Sequence, residues 1–151
     1  MTIKFRNALE TDVTSMVKLT QGLVEELHQK FDKKRFMSMI NRVLNDPVQK
    51  KGIFIAEDDA SQKAVGMIIG IVKPAKSGKK EGFLQNVAVS QDARGQGIGK
   101  ELVHRAIEYL KTLKTAEIGV NIRDSQKQAI TMYERLGFVR SGNTMHLKLA
   151  S

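Results

Sequence analysis

The sequence contains no cysteine and no tryptophan, and only two prolines and two tyrosines. Without cysteine there can be no disulfide, no thiolate metal site and no cysteine nucleophile. With aromatics at 5% and no tryptophan, a base-stacking surface is poorly supplied, so nucleic acid is not expected as a partner. No run approaches the roughly 18–20 apolar residues that a membrane-spanning helix requires, and no membrane association is expected. The first residues, Met1 to Arg6, alternate apolar and polar or charged side chains as a strand does, unlike a secretory leader. A cytoplasmic location follows as the expectation. His28, His104 and His146 stand far apart without metal-ligand spacing, so no metal is expected.

At 151 residues and 41% hydrophobic content, the chain is long enough for one domain with a substantial core, taken as residues 1–151. Lys and Arg total 25 against 16 Asp and Glu, a net charge of +9. Such an excess suits a polyanionic ligand, nucleic acid or an acidic partner. The lysines are spread along the chain, apart from clusters at Lys33-Lys34-Arg35, Lys50-Lys51 and Lys76 to Lys80.

Residues 3–6 alternate as a first strand, and Ala8 to Asp12 form a turn with Thr11 or Asp12 as N-cap. Val13, Met16, Val17, Leu19, Leu23, Val24 and Leu27 recur near helical spacing, which predicts a helix to about His28, with Gly22 as a weak point. Asp32 caps a second helix carrying Phe36, Met37, Met39, Ile40, Val43 and Leu44, which Asn45-Asp46-Pro47 ends. Gly52 to Glu57 and Ala64 to Val72 read as strands around the polar loop 58–62. Lys73 to Gly82, with proline, two glycines and four lysines, reads as a mobile basic loop. After it come a strand at 83–89, a helix with an apolar stripe from Ile98 to Leu113, and a strand at 116–122. Asp124-Ser125 caps a helix to Leu136, Gly137 stops it, and strands at 138–139 and 144–149 finish the chain.

The stretch from Phe83 to Leu113 is the most informative. A strand ending Val87-Ala88-Val89 passes through the turn Ser90-Gln91-Asp92-Ala93 into Arg94-Gly95-Gln96-Gly97-Ile98-Gly99-Lys100, and then into a helix. Glycines at alternate positions let a ligand approach the backbone. The unpaired N–H groups and positive dipole end of the helix point back into that loop. This is an anion site, best suited to phosphate. The P-loop pattern fails, because Arg94 stands at its first glycine and Glu101 follows Lys100. The dinucleotide pattern fails at Lys100 in one frame and at Leu102 in the other. What remains is Arg-x-x-Gly-x-Gly, from Arg94, Gly97 and Gly99.

That motif resembles the pyrophosphate-binding loop of the GNAT superfamily of N-acetyltransferases, which use acetyl-CoA. A second stretch resembles the same family's C-terminal motif: Val120-x-Ile122, Gln126, Ala129-Ile130 and Tyr133-Glu134-Arg135-Leu136-Gly137-Phe138. The two occur in the family's order and spacing, and the element order β-α-α-β-β-β-α-β-α-β-β is also the family's. The resemblance implies an α+β, three-layered fold with a mixed sheet of about seven strands and about four helices.

It further implies an acetyl-CoA-dependent N-acetyltransferase, with acetyl-CoA as cosubstrate, an amine as acceptor and a homodimer as a frequent assembly. By that resemblance, Val87, Ala88 and Val89 hold the pantetheine arm and acetyl carbonyl, and Arg94, Gly95, Gln96, Gly97, Ile98, Gly99 and Lys100 surround the pyrophosphate. The N–H groups do most of this, so the side chains of Gln96 and Ile98 should matter little. Tyr133 matches the family's general acid, and a phenol is still protonated at neutral pH. Gln126 stands where the family usually has an asparagine that contacts the coenzyme.

The general base is not legible: Glu81, Glu57 and Glu25 or Glu26 are candidates beside a water chain. The acceptor groove would draw on Glu25, Glu26, Glu81, Gln85, Asn86 and His146. A small primary amine is the acceptor first expected, with a protein lysine or N-terminus as the alternative. A coenzyme-binding regulator without turnover, or a basic nucleic-acid binder, ranks third.

Overall fold

The computed structural model describes residues 1–149; Ala150 and Ser151, the end of the expected 1–151 domain, lie outside the described residues. The elements in chain order are β1 (Ile3–Asn7), α1 (Val13–Glu26), α2 (Lys33–Leu44), β2 (Ile53–Asp58), β3 (Lys63–Pro74) and β4 (Lys80–Val89). Then follow α3 (Ile98–Thr112), β5 (Thr115–Asn121), α4 (Lys127–Arg135), β6 (Val139–Ser141) and β7 (Thr144–Lys148). The strands make one seven-stranded sheet in the order β1-β2-β3-β4-β5-β7-β6. Every neighbouring pair is antiparallel except β4 with β5. The expected α+β architecture and element order both stand.

Each face of the sheet has its own core. On one, Leu102, Ala106 and Leu110 of α3 pack with Ile68, Leu84 and Ile118, joined by Tyr133, Phe138 and Met145. On the other, Met16 of α1 and Ile40 of α2 pack with Ile53, Ile55, Met67 and Ile69. Since β3 supplies both cores, it must be apolar on both sides, hence its unbroken run from Ala64 to Ile69. Gly66 lets α3 lie close: a Cβ there would stand 3.1 Å from Ile98 and 3.2 Å from Leu102.

Several boundaries differ from expectation. The basic loop shrinks to residues 75–79, because β3 and β4 continue as a hairpin through Lys73↔Glu81 and Pro74↔Lys80. Its turn closes through the N–H of Ala75 donating to the Lys79 carbonyl at 2.7 Å, and the Lys73 ammonium lies 5.3 Å over the Phe83 ring. Strand pairing recruited residues whose composition reads as loop. Gly52 belongs to a 3₁₀ turn (Gln49–Gly52) rather than to β2. Asp32 caps α2 as expected, accepting from the Arg35 N–H at 3.0 Å. Asp124-Ser125 do not cap α4, whose N-cap is Gln126; Asp124 instead pairs with Arg140 of β6.

Asp12 stands at the N-cap of α1, yet its carboxylate serves other groups. It accepts from Leu9 N–H at 2.7 Å and from both terminal nitrogens of Arg6 at 2.7 and 2.9 Å. Burial pushes this carboxyl up, but the Arg6 hydrogen bond, the Leu9 N–H and the Arg6 charge together hold it below the usual carboxylate value. Asp12 in turn, together with Glu57 on β2, raises the Arg6 guanidinium against its partial burial.

Candidate active site

The site begins with one extra residue in β4. Ile69 pairs with Gln85 and Met67 with Ala88, so two steps along β3 oppose three along β4. This bulge centres on Asn86, at φ +53, a left-handed conformation that asparagine tolerates better than most residues. The Asn86 amide reaches Thr20 of α1, with Nδ2 donating to Oγ1 at 3.4 Å. A bulge bends its strand, and here β4 leaves β5: their parallel pairing ends at Leu84↔Val120.

Beyond that point no strand pairs with the β5 side of β4 among the described residues. The unpaired backbone faces a cleft of about 920 Å³. Leu84, Gln85, Asn86 and Val87 form one wall, and Val120 to Gln126 the other. Leu23, Leu27 and Gln29 close it from the α1 side, with Ala129, Met132, Tyr133 and Asn143 opposite.

Below the opening lies the glycine loop. Gly95 and Gly97 have φ of +80° and +75°, and a Cβ built on either would meet nothing within 4 Å. Gly97 is the N-cap of α3. The N–H groups of residues 95–100 donate to no acceptor among the described residues, and the first helical bond to Gly97 comes from Glu101 N–H at 3.1 Å. The result is an open cradle of donors at a helix N-terminus, which fits a phosphate. Ile98 departs from expectation, for its side chain is buried in the α3 core and constrained by Gly66.

Arg94 also departs. Its Nε and Nη2 each donate to the Val89 carbonyl at 3.1 Å, and Nη2 donates to Glu26 at 2.5 Å. The guanidinium thus ties the loop to the end of β4 and to α1 instead of reaching into the cradle. The Arg94 hydrogen bond holds the Glu26 carboxyl below its usual value. Glu26 is therefore a loop anchor and does not line the cleft. Glu25 lies outside the cleft, accepting from Gln21 at 3.2 Å, and Glu81 sits at the far end of β4 opposite Glu117. Of the expected acceptor residues, Gln85 and Asn86 do line it.

Tyr133 lines the cleft with its ring 2% exposed, edge-on to Phe138 with centroids 5.2 Å apart. Burial pushes its phenol well above the ordinary value, so it remains a proton donor throughout the neutral range. Gln126 also lines the cleft, while its Oε1 accepts from the Arg123 N–H at 3.0 Å and holds the β5–α4 turn.

A second chamber of about 550 Å³ adjoins the first across Met132, between the start of α3 and α4. It has Lys100, Lys127 and Arg135 around Gln128, Thr131 and Leu136. Lys100 was expected at the anion site. Lys127 and Arg135 were missed; their i, i+8 spacing on one face of α4 was the available signal.

Residues 17–138 match the model of the acetyltransferase (GNAT) family. A mouse protein, probable N-acetyltransferase family 8 member 5, is 33% identical over 86 residues, covering 56% of this chain and 38% of that protein. Yeast N-alpha-acetyltransferase 30 is 30% identical over 90 residues, covering 58% of this chain and 51% of its own length. The chain thus matches about two fifths to one half of these relatives' length. Among solved structures, the NatC complex bound to Gag peptide and CoA superposes with a TM-score of 0.85 at 23% identity, covering 99% of this chain and 100% of that one. Arabidopsis Naa50, in complex with the bisubstrate analogue CoA-Ac-MVNAL, superposes with a TM-score of 0.76 at 15% identity, covering 99% and 100%. At these identities the structural likeness establishes the fold.

Proposed function

This chain belongs to the acetyltransferase (GNAT) family, and on that premise we propose that it moves the acetyl group of acetyl-CoA to a peptide N-terminal amine within a ternary complex. The observation that carries the transfer is the parting of β4 from β5 on the strand whose end leads through residues 90–97 into a free helix N-terminus. The free N–H groups of residues 95–100 bind the pyrophosphate, and Lys100, Lys127 and Arg135 serve the remaining negative charge. The unpaired edge of β4 at Val87–Val89 holds the pantetheine arm, with a backbone N–H directed at the thioester carbonyl. The acceptor nitrogen attacks that carbonyl, the C–S bond breaks, Tyr133 gives its proton to the departing thiolate, and the extra proton left on the newly acylated nitrogen restores the phenol.

A peptide acceptor replaces the small amine expected from sequence. N-alpha-acetyltransferases are among the relatives. The cleft supports the same reading physically. Gln85, Asn121 and Asn143 line it, and each amide has a donor and an acceptor to match a peptide group.

Thiol release from acetyl-CoA tests the proposal, using free-N-terminal peptides, the same peptides N-acetylated, aminoglycosides, polyamines and free amino acids. Stimulation by free but not blocked peptides is expected. Stimulation by small amines alone would remove the peptide acceptor, and no stimulation with no acetyl-CoA binding would remove the activity.

A further inference from the structure

The transfer needs an acceptor for the proton that the incoming ammonium must lose, and the cleft lining supplies little. Its ionisable residues are Arg123, Asp124 and Tyr133. Arg123 is cationic, Tyr133 is needed protonated, and Asp124 is 91% exposed and paired with Arg140.

A better-built group lies alongside, on the sheet face that carries α1 and α2. There α1 packs on β3 and β4, and farther across the sheet the side chains of Glu117 and His146 are about one third exposed. There the His146 ring lies over Gly119, where a Cβ would stand 3.4 Å from its Cε1 and Nδ1 and 3.5 Å from Phe83. Both ring nitrogens are engaged. Nδ1 is 3.2 Å from the Glu117 carboxylate, and Nε2 is 3.0 Å from the Thr144 hydroxyl. The Thr144 hydroxyl also lies 3.0 Å from the Ser141 carbonyl, so its one hydrogen has two places to point. Thr144 pairs in register with Asn121 and follows Asn143, and both of those line the cleft. The row Glu117, His146, Thr144 therefore runs along the strands and ends beside the cleft-lining residues Asn121 and Asn143.

Donor counting gives this row its chemistry. Glu117 only accepts, so Nδ1 carries a hydrogen. The Thr144 hydroxyl has a single hydrogen. When it points to Ser141, Nε2 must donate and the ring holds two protons; when it turns to Nε2, the ring holds one. Either count leaves both ring nitrogens partnered, so one hydroxyl rotation accommodates the gain of a proton.

We propose that His146 receives the acceptor's proton. The ammonium gives it to the Thr144 oxygen as the Thr144 hydrogen passes to Nε2, and Glu117 balances the resulting imidazolium. The freed nitrogen lone pair then attacks the thioester, and the proton leaves from His146 to solvent. His146 and Glu117 act through Thr144 and are positioning and relay residues. The charged groups facing the row are Glu117 itself, Glu81 and Lys148 in register on either side of it, and Lys73 over Phe83. The inference rests on the acetyl-transfer reading.

The test is kcat/KM against pH, with saturating acetyl-CoA and a free-N-terminal peptide, for wild type, His146→Gln, Glu117→Gln, Thr144→Val and Asp124→Asn. His146→Gln is expected to lose about 10²-fold near neutrality. The deficit should shrink toward high pH, where the amine arrives already neutral. Glu117→Gln and Thr144→Val should show smaller losses of the same shape, with acetyl-CoA affinity unchanged by calorimetry. A loss independent of pH, no loss, or the pH-dependent loss appearing in Asp124→Asn instead would each overturn the relay. Wild type that binds acetyl-CoA without turning over any peptide would overturn the peptide acceptor and the relay with it. Wild-type turnover with pH-independent variants would overturn the relay alone.

Discussion

Tyr133 combines a packing role with the proton-donor role proposed for it, and the two separate on substitution. Its ring fills core space against Phe138 while its face belongs to the cleft. Tyr133→Phe keeps that packing and removes only the proton. We expect kcat to fall about 10²-fold with acetyl-CoA affinity unchanged, measured by thiol release beside calorimetry. Asp12 shows the opposite case, a carboxylate whose work is structural. Asp12→Asn leaves Arg6 with Glu57 as its remaining carboxylate partner, and should lower stability at pH 7 by about 2 kcal/mol. The folded carboxyl titrates below its unfolded value, so its contribution is complete above the unfolded pKa and is lost as pH falls through the folded one. Urea denaturation should therefore show wild type and variant converging below about pH 4.

Among elements, the loop between β4 and α3 has the least freedom to vary. Gly97 combines a left-handed backbone with the N-cap of α3, and open space faces its missing side chain. Gly97→Glu would put a carboxylate and its bulk into the phosphate cradle. Loss of acetyl-CoA binding by at least about 10²-fold is expected by calorimetry, in a variant that circular dichroism shows to be folded. Unchanged affinity would displace the cradle from this loop. The Arg94–Glu26 pair belongs to the same element, since it joins the loop to α1. Both partners are substantially exposed, so its contribution lies in placing the loop more than in stability.

The whole molecule carries +9, and the proposed cosubstrate is a polyanion. Charge of opposite sign concentrates the ligand near its site, and salt screens that attraction. Acetyl-CoA at about a hundred times its Kd should stabilise the folded chain by about 2.7 kcal/mol through mass action. For a chain of this size that is a rise in Tm of about 5–10 °C in a thermal melt. The rise should diminish in about 0.5 M salt, because the affinity falls. No rise at low salt would contradict the binding site itself.

What local sequence determined is whatever depends on near neighbours. Apolar periodicity placed both long helices, Asp32 capped α2, and the alternating glycines of residues 95–99 marked the loop that enters α3, because those features are decided within one or two turns of chain. Tyr133 was legible by motif. The pairing partners were not local. Whether Lys73 to Gly82 is loop or hairpin depends on two strands finding register, and whether Glu26 faces an acceptor or Arg94 depends on residues 68 positions apart. The bulge at Asn86 left only a faint trace, two amides interrupting an apolar strand, while the opening it creates between β4 and β5 exists only in the assembled sheet. The row of Glu117, His146 and Thr144 arises from β5 and β7 lying side by side. Sequence spacing cannot show that contact, because strand register across a sheet is set by the packing of both faces.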